Sequence, residues 1–187
     1  MSLAHLGQNK MISSIDDATV EGRTCKLFLD TAIEDVLRDH DWNFATKDVS
    51  LAQLSETVSG WAFLYARPAN CLYVRSIHAE GSELSDKDEF EEIQSAITNQ
   101  RSIATDTASA RAKYTANVKD PNLFDPSFVL AVSYKLAAMM AQPITGNIGL
   151  SRELLGFYQT VIDRAKGSNR AEKNVKKSGE SSYVNAR

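Results

Sequence analysis

Two cysteines, three histidines and nine glycines are spread over 187 residues, and their scarcity removes several kinds of chemistry at once. Cys25 and Cys71 lie far apart and share no metal-ligand spacing. Both read as buried, reduced thiols, the first on a helix face and the second at a strand start. His5, His40 and His78 have no ligand-forming neighbour at metal spacing. His40 sits between Asp39 and Asp41, but at a helix end it reads as a capping cation. Glycine is too sparse for a phosphate-cradling loop, and Gly146 with Gly149 marks only a turn. There is no GxSxG elbow and no HExxH pair. The opening MSLAHLGQNK lacks the apolar stretch of a signal peptide, so a product made in the cytosol is expected. No cofactor, metal or catalytic constellation follows from these residues.

Apolar residues make up 43% of the chain, enough for a core in one domain with a small insert. Charge is uneven. Residues 166–187 hold six Lys/Arg and two acids, a balance of +4, which leaves −7 on the first 165 residues. A body that acidic is not a nucleic-acid grip. The basic end reads as an interaction arm or as a solvated terminus.

The best-marked stretch is DPNLFDPSFVLAVSYKLAAMMAQPITG, residues 120–146. Asp125 is placed to N-cap a helix, Pro126 suits its first position, and Phe124 is spaced to staple onto Val129. Pro143 should stop or kink that helix near Ala141. The run between carries a single charge, Lys135, and is too short and interrupted to span a membrane. Phe128, Val132, Leu136 and Met140 form one stripe, expected to pack on Leu29, Ile33 and Val36 and on Leu154, Phe157 and Val161. Ala131, Ala137, Ala138 and Ala141 form a second face that admits a helix closely, within the molecule or between copies; in the second case Ala138→Phe blocks assembly more than folding. A helix apolar nearly all round is a central one.

Before it, Ser2–Gln8 reads as a short helix ended by Gly7. Ser14 and Asp17 are spaced as a capping box for a helix from about Asp17 to Asp39, roughly 35 Å long at 1.5 Å per residue. The period then changes. Strands are expected around 44–51, at Trp61–Ala66 and at Leu72–Ile77, with weaker ones at Phe90–Ser95, Arg101–Asp106 and Ala110–Val118. After Gly146 an amphipathic helix is expected over about 148–167, with Gly167 as its cap. The fold class is therefore α+β: an antiparallel helical bundle of three to four helices (1–43 and 119–167), a small inserted antiparallel β-sheet (44–118) and an extended C-terminal tail (168–187).

Two carboxylate groupings merit a test as sites. Glu34 and Asp35 could form an acid/base pair, but neighbours on a helix point about 100° apart. Asp86, Asp88, Glu89, Glu91 and Glu92 lack the alternation of a calcium loop and read as a solvated turn. Tyr183 and Val184, near the end of the polar tail, either anchor it in a partner's pocket or are there by chance of composition.

Four segments in order, ISSIDD (12–17), HDWNFATKDVSLA (40–52), WAFLYARPANCLYV (61–74) and the 120–146 stretch, resemble the head-to-tail adaptor proteins of short-tailed bacteriophages, the tail accessory factors and tail tubular A proteins. The W-N-F-A turn, the Y-x-x-P-x-x-C-L-x-V segment and the LFDPxF helix carry the likeness, which covers most of 11–165. The closing SSYVNAR is similar too, with Tyr183 where the family's pattern has Trp. The resemblance implies a twelve-fold ring of identical copies beneath the portal protein of the virion. Such a ring retains packaged double-stranded DNA, which passes the lumen without sequence-specific binding, and presents a platform for the tail nozzle or tubular protein. It implies a portal-binding role for the tail residues Arg170, Lys173, Lys176, Lys177, Tyr183, Val184 and Arg187. The resembling family also includes an ascribed peptidoglycan-cleaving activity, which makes a tail-associated hydrolase the second reading. A generic helical binding module is the third.

Overall fold

Asp125 accepts the Ser127 N–H at 2.7 Å and Pro126 takes the first helical position, so the central helix begins where the chain's own signals put it. The computed structural model describes residues 1–8, 12–81 and 88–172. In order these form α1 (Ser2–His5), α2 (Val20–Asp39), β1 (Thr46–Ser50), β2 (Phe63–Ala66), β3 (Cys71–Ala79), β4 (Phe90–Gln94), β5 (Arg101–Thr105), β6 (Ala110–Ala116), α3 (Pro126–Thr145) and α4 (Ile148–Glu172). Single 3-10 turns at Asn43–Ala45 and Pro121–Leu123 lead into β1 and towards α3. The protein mixes helix and strand, an α+β fold, with its six strands between the second and third helices.

The helices correct the sequence reading in five places. First, α2 starts at Val20, capped by the Thr19 hydroxyl, which accepts from Gly22 N–H at 3.1 Å. The expected box at Ser14 and Asp17 is instead a turn of its own, with Asp17 accepting from the N–H groups of Ser13 and Ser14. Second, Pro143 does not stop α3 near Ala141. The helix runs to Thr145, whose hydroxyl donates to Ala141 O at 2.6 Å, and ends at Gly146 with φ 68°. A proline this near the C-terminus forfeits a single helical bond. α3 is thus 20 residues, long and apolar enough to cross a membrane by length and composition; what occupies its faces here is other helices. Third, α4 continues through Gly167 to Glu172, so Gly167 is not its cap and residues 168–172 are not extended. The expected tail beyond 172 lies outside the described residues. Fourth, Phe124 packs on Phe128 at 4.7 Å between ring centroids, while Val129 is exposed. Fifth, Phe157 is 47% exposed and touches Tyr134; Tyr158 takes the buried position.

Two apolar clusters describe how the helices meet. One joins Ile33, Val36 and Leu37 of α2 to Phe128, Ala131 and Val132 of α3 and to Tyr158, Val161 and Ile162 of α4. The other joins Cys25 and Ala32 to Leu136, Ala137, Ala138, Met140 and Ala141, to Leu154, and to Leu3 and Leu6 of α1. The alanine face is therefore wholly internal: Ala131, Ala137 and Ala141 are 0% exposed and Ala138 is 4%. A phenylalanine at Ala138 would be driven into the core, a folding defect and not an assembly defect.

The strands form two three-stranded antiparallel sheets instead of one, ordered β1-β6-β3 and β2-β5-β4. They are stitched together on both sides. Leu51 still donates to Ala110 O beside β6, but Ala66 donates to Ala52 O and Leu54 to Leu64 O, so residues 51–54 pass from the first sheet to the second. Opposite, Asp88 donates to Ile77 O at 3.0 Å and joins β3 to the approach of β4. Between the sheets lies one core containing Tyr65, Val74, Ile77, Ile103, Ala112 and Tyr114.

Candidate functional site

Three stretches far apart in the chain, 40–46, 65–74 and 120–128, meet where the helical half meets the β half. α2 ends at Asp39, and the chain turns through 40–45 into β1. Within that turn Trp42, 1% exposed, donates its indole N–H to Val36 O at 2.8 Å, supplying a carbonyl that the end of the helix leaves free. Phe128 is the centre of an aromatic cluster. Trp42 and Phe44 each stand at 5.1 Å from its ring, edge to face, and Phe124 at 4.7 Å. Such geometry sets the positive ring edge on the negative face of its neighbour.

Arg75 of β3 pins this turn to the first sheet. Its Nε lies 2.9 Å from Asp41 and donates to the Thr115 hydroxyl at 2.9 Å; its Nη1 donates to the Thr46 hydroxyl at 2.8 Å. The Thr46 hydroxyl in turn donates to Trp42 O. The side chain is 7% exposed, and burial lowers its pKa while Asp41 opposes that shift. Its Nη2 is buried without a hydrogen-bond partner among the described residues.

The β2–β3 turn is fixed to the same place. Guanidinium groups of Arg67 and Arg38 both donate to Leu72 O, at 3.1 and 3.4 Å. Asn70 O accepts from Asn117 N–H at 2.8 Å, and its side-chain oxygen accepts from the Tyr114 hydroxyl at 2.9 Å. Asn117 then donates to Glu34 on α2, and Lys119 pairs with Glu34 and Asp30. Near the end of α2 the Tyr158 hydroxyl donates to Asp39 at 2.6 Å; burial, then Asp39, raises its pKa. Lys135, the one charge of α3's apolar run, lies over the Tyr158 ring and pairs with Asp35 at 3.3 Å.

This arrangement fixes orientation. Glu34 and Asp35 serve different partners, Asn117 and Lys119 against Lys135, and do not form one site. Asp88 accepts from Thr107, Glu91 from Trp61, and Glu92 pairs with Arg67, so the described part of the acidic run is dispersed among structural contacts. Asp86 lies outside the described residues. His5 stacks on Tyr134 at 4.2 Å and His78 lies 3.3 Å from Asp48. His40 follows α2 in an extended conformation and meets the Trp42 ring edge-on at 4.8 Å. Among the described residues no group of three or more His, Cys, Asp or Glu could hold a metal. Burial raises the pKa of both Cys25 and Cys71, the opposite of an activated thiolate.

Of the residues assigned to portal binding, Arg170 falls in the last turn of α4; Lys173, Lys176, Lys177, Tyr183, Val184 and Arg187 lie outside the described residues. Sequence reasoning missed Arg67 and Arg75. Their one signal was a cation inside or at the end of an otherwise apolar strand run, LYVRSI and WAFLYAR. The chain matches no protein-family model and no curated protein.

Proposed function

We propose that this chain is a structural head-to-tail adaptor of a short-tailed phage virion, forming a ring with copies of itself beneath the portal protein and offering the tail nozzle or tubular protein its attachment platform. The observation that carries the reading is the convergence just described. Segments 40–46, 65–74 and 120–128, which resemble that family independently along the chain, fold into one junction whose polar and aromatic groups are spent on holding two halves of the molecule at a fixed angle. An adaptor needs that rigidity; a hydrolase needs paired carboxylates, and Glu34 and Asp35 are committed to separate ion pairs.

In this reading the helical half is an antiparallel bundle that packs side by side with its neighbours. The β half is a separate face for the next component. The basic segment after Glu172, with Lys173, Lys176, Lys177, Tyr183, Val184 and Arg187, orders on the flank of the portal, and Arg170 extends the same charge along α4. The acidic body would line the lumen and repel DNA phosphates, so that the genome slides instead of sticking. Electron microscopy of the purified protein mixed with its portal protein tests the reading: twelve-fold rings are expected at the portal's base, and their absence sinks it.

A further inference from the structure

A cleft opens beside the bridge at which Asp88 donates to Ile77 O. Beyond that bridge β3 and β4 belong to different sheets and separate. The cleft measures about 420 Å³ and is lined by Trp61, Arg75, Ser76, Asp88, Glu89 and Phe90. Ligand pockets usually measure about 300–1,000 Å³. Ile77 points into the β core, so Ser76 beside it points to the opposite side of β3. Across the antiparallel bridge Ser76 has Glu89 as its counterpart, and Glu91, two residues on, shares that side. Trp61 donates its indole N–H to Glu91 at 3.2 Å, which fixes the ring there.

These groups suit a cation on a long apolar stem. The Glu89 carboxylate is exposed and has no partner among the described residues. Ser76 is 6% exposed, yet its hydroxyl has no hydrogen-bond partner among the described residues, a state that a buried polar group seldom keeps. Trp61 offers the ring best suited to holding a cation over its face. Arg75 does not oppose one: its guanidinium is turned to Thr46, Thr115 and Asp41, and Asp41 at 2.9 Å answers its charge. Lys113, opposite Ser76 in the β3–β6 register, makes no ion pair among the described residues. A metal ion is a poorer match, since among the described residues no three His, Cys, Asp or Glu converge.

We propose that this cleft takes a lysine of the chain's own terminal segment, 173–187, with the ammonium between Glu89 and the Ser76 hydroxyl and the stem along Trp61. Two observations select that occupant. The segment carries Lys173, Lys176, Lys177 and Arg187 against Glu180, a balance of +3, where the cleft is acidic. It also starts on the right side of the molecule. Ala165 of α4 packs in the cluster that holds Trp42 and Ala45, and Arg75 at the cleft binds Asp41 and Thr46 of the same turn. An extended chain covers about 3.3 Å per residue, so Lys176 reaches up to about 13 Å from Glu172 and the chain end up to about 50 Å. The inference does not depend on the ring reading. Within that reading the cleft holds the basic arm in the free protein, and the portal has to draw it out.

The test uses the full chain alone, as an equal mixture of isotopically light and heavy copies. Zero-length carbodiimide coupling followed by peptide mapping should join Glu89 to Lys173, Lys176 or Lys177 within one copy. The link should disappear in 1 M salt, where the Debye length falls to about 3 Å. In a nitrogen–proton spectrum, replacing the three lysines by glutamine should move the Trp61 indole resonance and leave that of Trp42, buried in the junction, in place. The inference requires both results. Links between light and heavy copies would give the cleft to a second molecule and overturn the assignment to the chain's own segment. A Glu89–Lys113 link, no link at all, or an unmoved Trp61 resonance would overturn the cleft as a lysine site. Each of these outcomes leaves the adaptor reading to its own test at the portal.

Discussion

Trp42 hydrogen-bonds back to the carbonyl of Val36, six residues earlier, and in doing so closes the end of α2 and turns the chain into the first strand. Trp42→Phe keeps most of the ring contact with Phe128 but leaves a buried carbonyl unpaired, which costs about 1–3 kcal/mol. Trp42→Ala adds a cavity and should cost about 3–5 kcal/mol. Urea unfolding should rank the two in that order, and equal losses would show that the hydrogen bond, not the ring, does most of the holding.

Two helical glycines should respond to alanine with opposite signs. A Cβ on Gly22 would lie 2.5 Å from the carbonyl oxygen of Asp17, too close to be relieved without moving backbone. Gly22→Ala should therefore destabilise in spite of a propensity gain of about 1 kcal/mol. At Gly156 no atom lies within 4 Å of the same Cβ, and Gly156→Ala should stabilise the isolated chain by roughly 0.5–1 kcal/mol. Thermal melts of the two variants decide it.

His5 supplies a pH dependence with a definite direction. It stacks on Tyr134, and its Nε2 lies 3.1 Å from the Ser133 hydroxyl. That hydroxyl already donates to Leu130 O, so His5 Nε2 carries the proton of the contact. Burial, and then the N-terminal ammonium, lower its pKa from 6.5. Below 6.5 the unfolded chain therefore binds the extra proton more readily than the folded one. The stability that docking of neutral His5 provides is present above 6.5 and is lost as pH falls through the lowered folded value. His5→Asn should flatten that part of the stability–pH profile, and an unchanged slope would assign it to another group.

Arg75→Met should destabilise by about 1–3 kcal/mol, because the Thr46 and Thr115 hydroxyls lose their donor inside the junction. Asp41, 58% exposed, can return to water and adds little. Near-ultraviolet circular dichroism of Trp42 should change in this variant if Arg75 holds the turn through Thr46.

Removal of residues 173–187 should abolish attachment to the portal protein while the circular dichroism stays that of the full chain. Undiminished attachment would refute a binding role for Lys173, Lys176, Lys177, Tyr183, Val184 and Arg187.

Local chemistry was legible in the sequence wherever a residue acts on its own neighbours. Asp125 and Pro126 mark the start of α3, and the six strands lie close to the six apolar or alternating runs. What escaped depends on partners distant in the chain. Nothing local distinguishes one sheet from two, because the partition is made by residues 51–54 changing partner and by a bridge from Ile77 to Asp88. Pro143 was misread because the one helical bond it forfeits is a small loss where the helix ends two residues later at Thr145. The junction was half visible: the aromatic residues of W-N-F-A and LFDPxF stood out, but Arg75 needs Asp41, Thr46 and Thr115 together before its place in a strand makes sense.

Thr46 pairs with Thr115 at the mouth of the β half, so the chain leaves the helices and returns to them on adjacent antiparallel strands, about 5 Å apart. To the helices the entire excursion is equivalent to a short hairpin. A two- or three-residue linker could replace it without changing the path from α2 to α3, and another strand-ended module could be grafted at the same doorway.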